Sequence, residues 1–159
     1  MTPNQVPVLV IRPIDENDAD AIARLSRELG AGAEPDDVTK RISGIQTTSG
    51  QQVLVADSPT GEVLGWVHVF SAPRLQSEQF AELGGLVVAK DQRRKGIGGR
   101  LVVAAEEWAH SNGCQTLRIR SRLERSQAHR FFEALGFNRV KSQHVFEKTR
   151  SPDISYCLR

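Results

Sequence analysis

A chain of 159 residues with 39% hydrophobic and 25% charged residues has the composition of one soluble globular domain, long enough to bury a real core. Its net charge of +2 excludes a bulk polycation, and no apolar run approaches the roughly 20 residues of a membrane-spanning helix. Cys114 and Cys157 form no metal or redox motif, and the opening MTPNQVPVLVIRP has no charged segment ahead of its short apolar run, so the expectation is a cytoplasmic protein with reduced thiols.

In chain order, VPVLVIRPI reads as a first strand. DENDADAIARLSRELG follows as a helix, with Ile22, Leu25 and Leu29 on one face, acids in its first turn and Gly30 as its stop. EPDDVTKRISGI is a second, shorter helix with Val38, Ile42 and Ile45 in phase. The period then changes to two: QQVLVAD, the turn SPTG and EVLGWVHVF make a hairpin. After the loop SAPRLQSEQ comes the apolar strand FAELGGLVV. A helix runs from about Gly98 to Ser111 and ends at NG, TLRIRS is a strand, and ERSQAHRFFEALG is a helix stopped by Gly136. FNRVKSQHVFEK is expected to form one bent strand or a final hairpin. The order β-α-α-β-β-β-α-β-α-β-β implies an α+β or mixed α/β fold, a single domain with helices flanking a central sheet.

Between the apolar strand and the following helix lies DQRRKGIGGRL, three cations in a row and then three glycines in four residues. Clustered cations repel, and each helical glycine costs about 1 kcal/mol relative to alanine. The first amides of a helix lack internal partners and the dipole favours an anion there, while glycine lets a bulky phosphate approach the backbone. Arg93, Arg94, Lys95 and Arg100 add counter-charge, and further arginines follow as far as Arg130. Gly99 is followed by Arg100 and Leu101, so this is no Walker loop, and Leu101 stands where a dinucleotide fingerprint needs glycine. A diphosphate held by backbone amides and a solvated basic turn both fit the segment taken alone.

The stretch LVVAKDQRRKGIGGRLVVAAEEWA together with AHRFFEALGF resembles the GNAT superfamily of N-acetyltransferases. Arg93, Gly96 and Gly98 match the family's pyrophosphate loop, and Ala128, Phe131, Gly136 and Phe137 match its later helix. The resemblance covers about residues 8 to 148, with 149–159 as a tail, and it departs from the pattern at Arg125, often Asn in the family, and at Phe132, often Tyr. It implies a mostly antiparallel, splayed sheet and acetyl-CoA as co-substrate, with no metal. The pyrophosphate would lie on the loop formed by Arg93, Arg94, Lys95, Gly96, Ile97, Gly98 and Gly99. The pantetheine arm would pair like an added strand with Leu86, Val87 and Val88, and Phe132 would line the thiol channel.

Acyl transfer to an amine needs a base, because a free alkyl ammonium has a pKa of about 10.4. Glu82 leads: by simple alternation it shares a strand face with Gly84, Leu86 and Val88. His68 on the neighbouring strand is second, and His129 and His144 are weaker. Phe132 cannot serve as the general acid. A thiol pKa of about 8.5 makes thiolate departure only mildly uphill, with water, Ser126 or Tyr156 available to help. The expected activity is direct acetyl transfer to a primary amine, a small molecule or a peptide, with homodimer formation left open. A non-catalytic acyl-CoA sensor is the alternative, motivated by Phe132. A nucleic-acid partner is not expected: RIRSRLERSQAHR is basic, but aromatic residues are 6% and most are placed as core.

Overall fold

The computed structural model describes residues 8–150, which divide into two compact units meeting in sequence between Arg122 and Leu123. The first contains strands β1 (Val10–Pro13), β2 (Gln51–Asp57), β3 (Val63–Ser71), β4 (Ala81–Val88) and β5 (Leu117–Ile119), with helices α1 (Ala19–Glu28), α2 (Pro35–Gln46) and α3 (Ile97–Ser111). The strands lie side by side in chain order, antiparallel except for the β4–β5 pair. That one parallel pair is bridged by α3, as a parallel neighbour requires a long crossover. Among the described residues no helix is long and apolar enough to cross a membrane.

Each helix offers the sheet an apolar stripe. Ile22 and Leu25 of α1 and Val38 and Ile42 of α2 join Val53, Val55 and Val87 in one buried cluster, with Trp66 packed against it. On the opposite face lie Val67 and Val69 of β3 and Leu101, Val102 and Ala105 of α3, all buried. Gly65 marks how close this packing is. A Cβ there would sit 2.6 Å from the Val87 carbonyl oxygen and 3.2 Å from Leu101 Cδ1.

Arg12 joins three elements. Its guanidinium donates to both carboxylate oxygens of Asp18 at 2.8 Å, and through Nε to Asp57 Oδ2 at 3.0 Å. Asp18 is buried at the entry to α1, where it also accepts the Asp15 backbone N–H at 2.9 Å. Burial alone pushes the Asp18 carboxyl up, but the Arg12 and Asp15 hydrogen bonds outweigh it and hold the group below its ordinary value. Such a group stabilises the fold above the unfolded-state pKa of about 3.9, and the contribution is lost as pH falls through the lower folded value. Asp18→Ala is therefore expected to cost about 2 kcal/mol near neutral pH, because it removes two of the three carboxylate hydrogen bonds of a partly buried guanidinium that keeps its bond to Asp57. Urea melts should show the gap between variant and wild type closing as the pH drops below about 4.

The second unit holds α4 (Ser126–Ala134), ended by Gly136 at φ 91°. Phe132 packs edge-on against Phe131 and Phe137, at centroid distances of 5.1 and 5.6 Å. The expected strand or hairpin over FNRVKSQHVFEK is not formed. Residues 137–150 carry no strand, and Val140, Val145 and Phe146 are exposed. A two-stranded hairpin is marginal by itself, so β-favouring composition without a ladder partner does not make a strand. The strand expected over TLRIRS is likewise shorter, Leu117–Ile119. Tyr156 lies outside the described residues.

Candidate active site

The site is built on an irregularity in β4. Across β3–β4, Phe70 faces Glu82 and Val69 faces Leu83, but His68 then faces Gly85. Gly84 is thus the extra residue of a bulge. It reverses the phase of the strand, which corrects the alternation expected above. Beyond the bulge it is Gly85 and Val87 that stand opposite His68 and Trp66, so Glu82 shares its face with them and not with Leu86 and Val88. The glycines are required by contact. A Cβ on Gly84 would lie 3.1 Å from His68 Nδ1 and from the Phe70 ring, and one on Gly85 would lie 2.7 Å from the Trp66 ring.

The sheet also opens here. β5 pairs with Ala81, Glu82 and Leu83 only. Among the described residues no strand lies along that side of β4 from Gly84 to Val88. The backbone of Leu86, Val87 and Val88 is thus available on one side to an extended ligand, with one end already engaged: Arg93 Nε donates to the Val88 carbonyl at 3.2 Å. Arg93 ties the loop to the strand end as well as carrying charge.

From Arg93 the chain turns into α3 through two left-handed residues, Arg94 at φ 64° and Gly96 at φ 82°. Arg94 is the only non-glycine residue with positive φ among the described residues, a conformation that costs about 1–2 kcal/mol. The first internal bond of α3 runs from the Arg100 N–H to the Gly96 carbonyl at 3.1 Å. The amides of Ile97, Gly98 and Gly99 precede it and have no intrahelical partner. No acidic residue occupies the first turn, and Arg93, Arg94, Lys95 and Gly96 are exposed. Free amides, a helix dipole and three cations therefore converge beside the open edge of β4.

Two polar side chains lie on the Glu82 face near the bulge. Glu82 is buried, and its Oε1 is ion-paired to Nε of the exposed Arg120. His68 is half-buried, with Nε2 3.0 Å from Gln51 Oε1. An amide oxygen only accepts, so Nε2 carries the hydrogen and the Nδ1 lone pair is left on the Gly84 side. Burial pushes the imidazole below its ordinary value, so the ring is neutral near pH 7. His144 is exposed beside Phe146, and Phe132 belongs to the aromatic cluster of α4. Gln51 and Arg120 escape sequence reasoning, because their roles depend on cross-strand register. The paired glycines inside an apolar strand were a readable signal for the bulge.

The acetyltransferase (GNAT) family model matches residues 20–137. The chain belongs to the GNAT acetyltransferase family. This acetyltransferase is 30% identical over 146 residues to the aminoglycoside N(6')-acetyltransferase type 1 of Klebsiella aerogenes, covering 87% of this chain and 95% of the relative. It is 26% identical to the uncharacterized N-acetyltransferase YhfO of Bacillus subtilis, over 80% of this chain and 88% of that one. Among solved structures, AAC(6')-Ih from Acinetobacter baumannii aligns with a TM-score of 0.79 at 24% identity, over 91% of this chain and all of that one. AAC(6')-Iy in complex with the bisubstrate analogue CoA-S-monomethyl-acetylneamine aligns at 0.77 and 19% identity, over 91% and 99% of the two chains. The α+β architecture with an open, mostly antiparallel sheet is therefore the GNAT fold.

Proposed function

We propose that this GNAT N-acetyltransferase moves the acetyl group of acetyl-CoA directly to a primary amine of a small molecule. The observation that carries the reading is the open edge of β4 from Gly84 to Val88, ending at the free amides of α3. An extended arm with a diphosphate at one end fits such a slot, and the structural neighbours include proteins solved with CoA or a CoA analogue. The arm would add a strand along Leu86–Val88, and the diphosphate would take the amides from Arg94 to Gly99. The family match runs from residue 20 to 137, which supports treating the chain as one acetyltransferase domain.

In the reaction the neutral amine attacks the thioester carbonyl. A C–N bond forms and the C–S bond breaks; the ammonium proton goes to a base, and the thiolate leaves to be protonated by solvent. The Val88 N–H is a donor available to the developing oxyanion. His68 is favoured as the base, because its Nδ1 lone pair is uncommitted to Gln51 and turned to the bulge. Glu82 is buried under Arg120 and already paired, which favours a supporting charge role on the same face.

Thiol release from acetyl-CoA, assayed against a panel of amines, tests the proposal. Amine-dependent release with an equal yield of acetylated amine is the expected result. Tight acetyl-CoA binding with no release from any amine would instead establish the sensor alternative that Phe132 motivates.

A further inference from the structure

The chemistry above leaves unused an open cavity of about 560 Å³ at the other end of β4, lined in part by Glu78, Phe80, Thr116 and Arg118. Phe80 is buried, and two guanidiniums approach its ring, Arg118 at 3.9 Å and Arg74 at 4.3 Å from the centroid. The two charges are no farther apart than the sum of those distances. Neither is ion-paired among the described residues, whereas Arg12, Arg24, Arg27, Arg120 and Arg139 all are. Cation–π attraction holds a guanidinium against a ring but supplies no counter-ion. The planar fork of donors stays available, and it matches a carboxylate in two parallel hydrogen bonds.

Register puts this cavity on the reacting face. Arg118 lies beside Glu82 in the parallel ladder, and Arg120, two residues on, reaches the Glu82 carboxylate. Alternation therefore places Arg118 on the face shared by Glu82, Phe70 and His68. Phe80 precedes Gly84 by four residues, about 13 Å of strand. Glu78 is the one acid lining the cavity, and it is exposed and outside ion-pair distance of both guanidiniums. Arg118 balances Glu78 among the lining residues, and Arg74 against the Phe80 ring adds one further positive charge, which disfavours the ammonium groups of a polycationic acceptor.

We propose that the cavity beside Phe80 binds a carboxylate of the amine acceptor, so that the acceptor is an extended amino acid or short peptide with a free carboxyl group. The inference rests on the acetyl-transfer reading above and names its substrate class. The length of strand between Phe80 and the bulge suits a terminal amine several bonds from the carboxylate.

Tetraglycine and tetraglycine amide differ only in the charge at that end. Their binding by calorimetry, with and without CoA, and their acetylation test the proposal. Wild type is expected to favour the acid by about tenfold, the worth of one charge-assisted contact. Arg118→Gln should bring the ratio near one. Arg74→Gln, at an exposed position that tolerates substitution, should lower the ratio by a smaller factor and keeps the test open if the first variant does not fold. Equal binding of acid and amide by wild type, survival of the preference in both variants, or faster acetylation of an aminoglycoside than of tetraglycine would each overturn it. Acetyl-CoA affinity is measured separately. Its absence would sink the acetyl-transfer reading and leave the peptide comparison standing.

Discussion

His68→Gln is expected to lower kcat by about 10²- to 10⁴-fold, the usual contribution of a general base, with acetyl-CoA affinity near wild type. Glutamine keeps polarity and approximate reach but has no titrating lone pair. The pH profile separates a base from a structural group. Burial lowers the His68 value, so the neutral, proton-accepting ring persists from neutrality down past about 6.5. Wild-type kcat should fall along an acid limb lying below about 6.5, and the variant should lack that limb. The same shift carries a stability cost: the unfolded chain takes up the proton first, so wild-type stability should decline as pH drops below about 6.5. If Glu82→Gln removes the limb and His68→Gln leaves it, Glu82 is the base despite its pairing with Arg120. If Glu82→Gln raises only the KM of the amine, it holds the ammonium, in keeping with the supporting role argued here.

Gly98→Val should reduce acetyl-CoA affinity by about 10²-fold. Gly98 is the second residue of α3, and its N–H is one of the amides left free by the first internal bond at Arg100. A β-branched side chain there would occupy the space proposed for the diphosphate and separate it from two or more amides. Hydrogen bonds to a charged group contribute about 1.5–3 kcal/mol each, and each 1.4 kcal/mol is tenfold in affinity. Calorimetry with CoA and a thermal melt together decide the matter. Unchanged affinity in a folded variant would remove the loop from the binding site. Arg93→Ala should lose less affinity for the ligand, because Arg93 is exposed and part of its work is the bond to the Val88 carbonyl.

The change of period and the SPTG turn between QQVLVAD and EVLGWVHVF place β2 on its observed bounds and β3 within one residue of them. The caps do the same for the helices: Pro35 opens α2, and the Asn112-Gly113 pair closes α3. The anion loop was legible because glycines, cations and a helix start fall together. The face of Glu82 was missed, because plain alternation skips over the bulge that the paired glycines Gly84 and Gly85 signal. Its ion pair with Arg120 was hidden for a related reason: it depends on the parallel register of β5, a contact between segments far apart in sequence. Phe146 and Val145 fail in the opposite direction, with strand-like composition but exposed side chains.

The single extra residue at Gly84 has an arithmetic consequence. β4 is two half-strands counted in opposite parity, odd-numbered side chains turning toward α3 at Ala81 and Leu83 and toward the α1–α2 cluster at Val87. Deleting one glycine would merge the counts. Gly85 and Val87 would then follow Leu83 in plain alternation and keep their places opposite His68 and Trp66, and only the bulge itself would be lost. A mutational library across β4 therefore needs two rulebooks, and the boundary between them falls beside the histidine that the reaction is proposed to use.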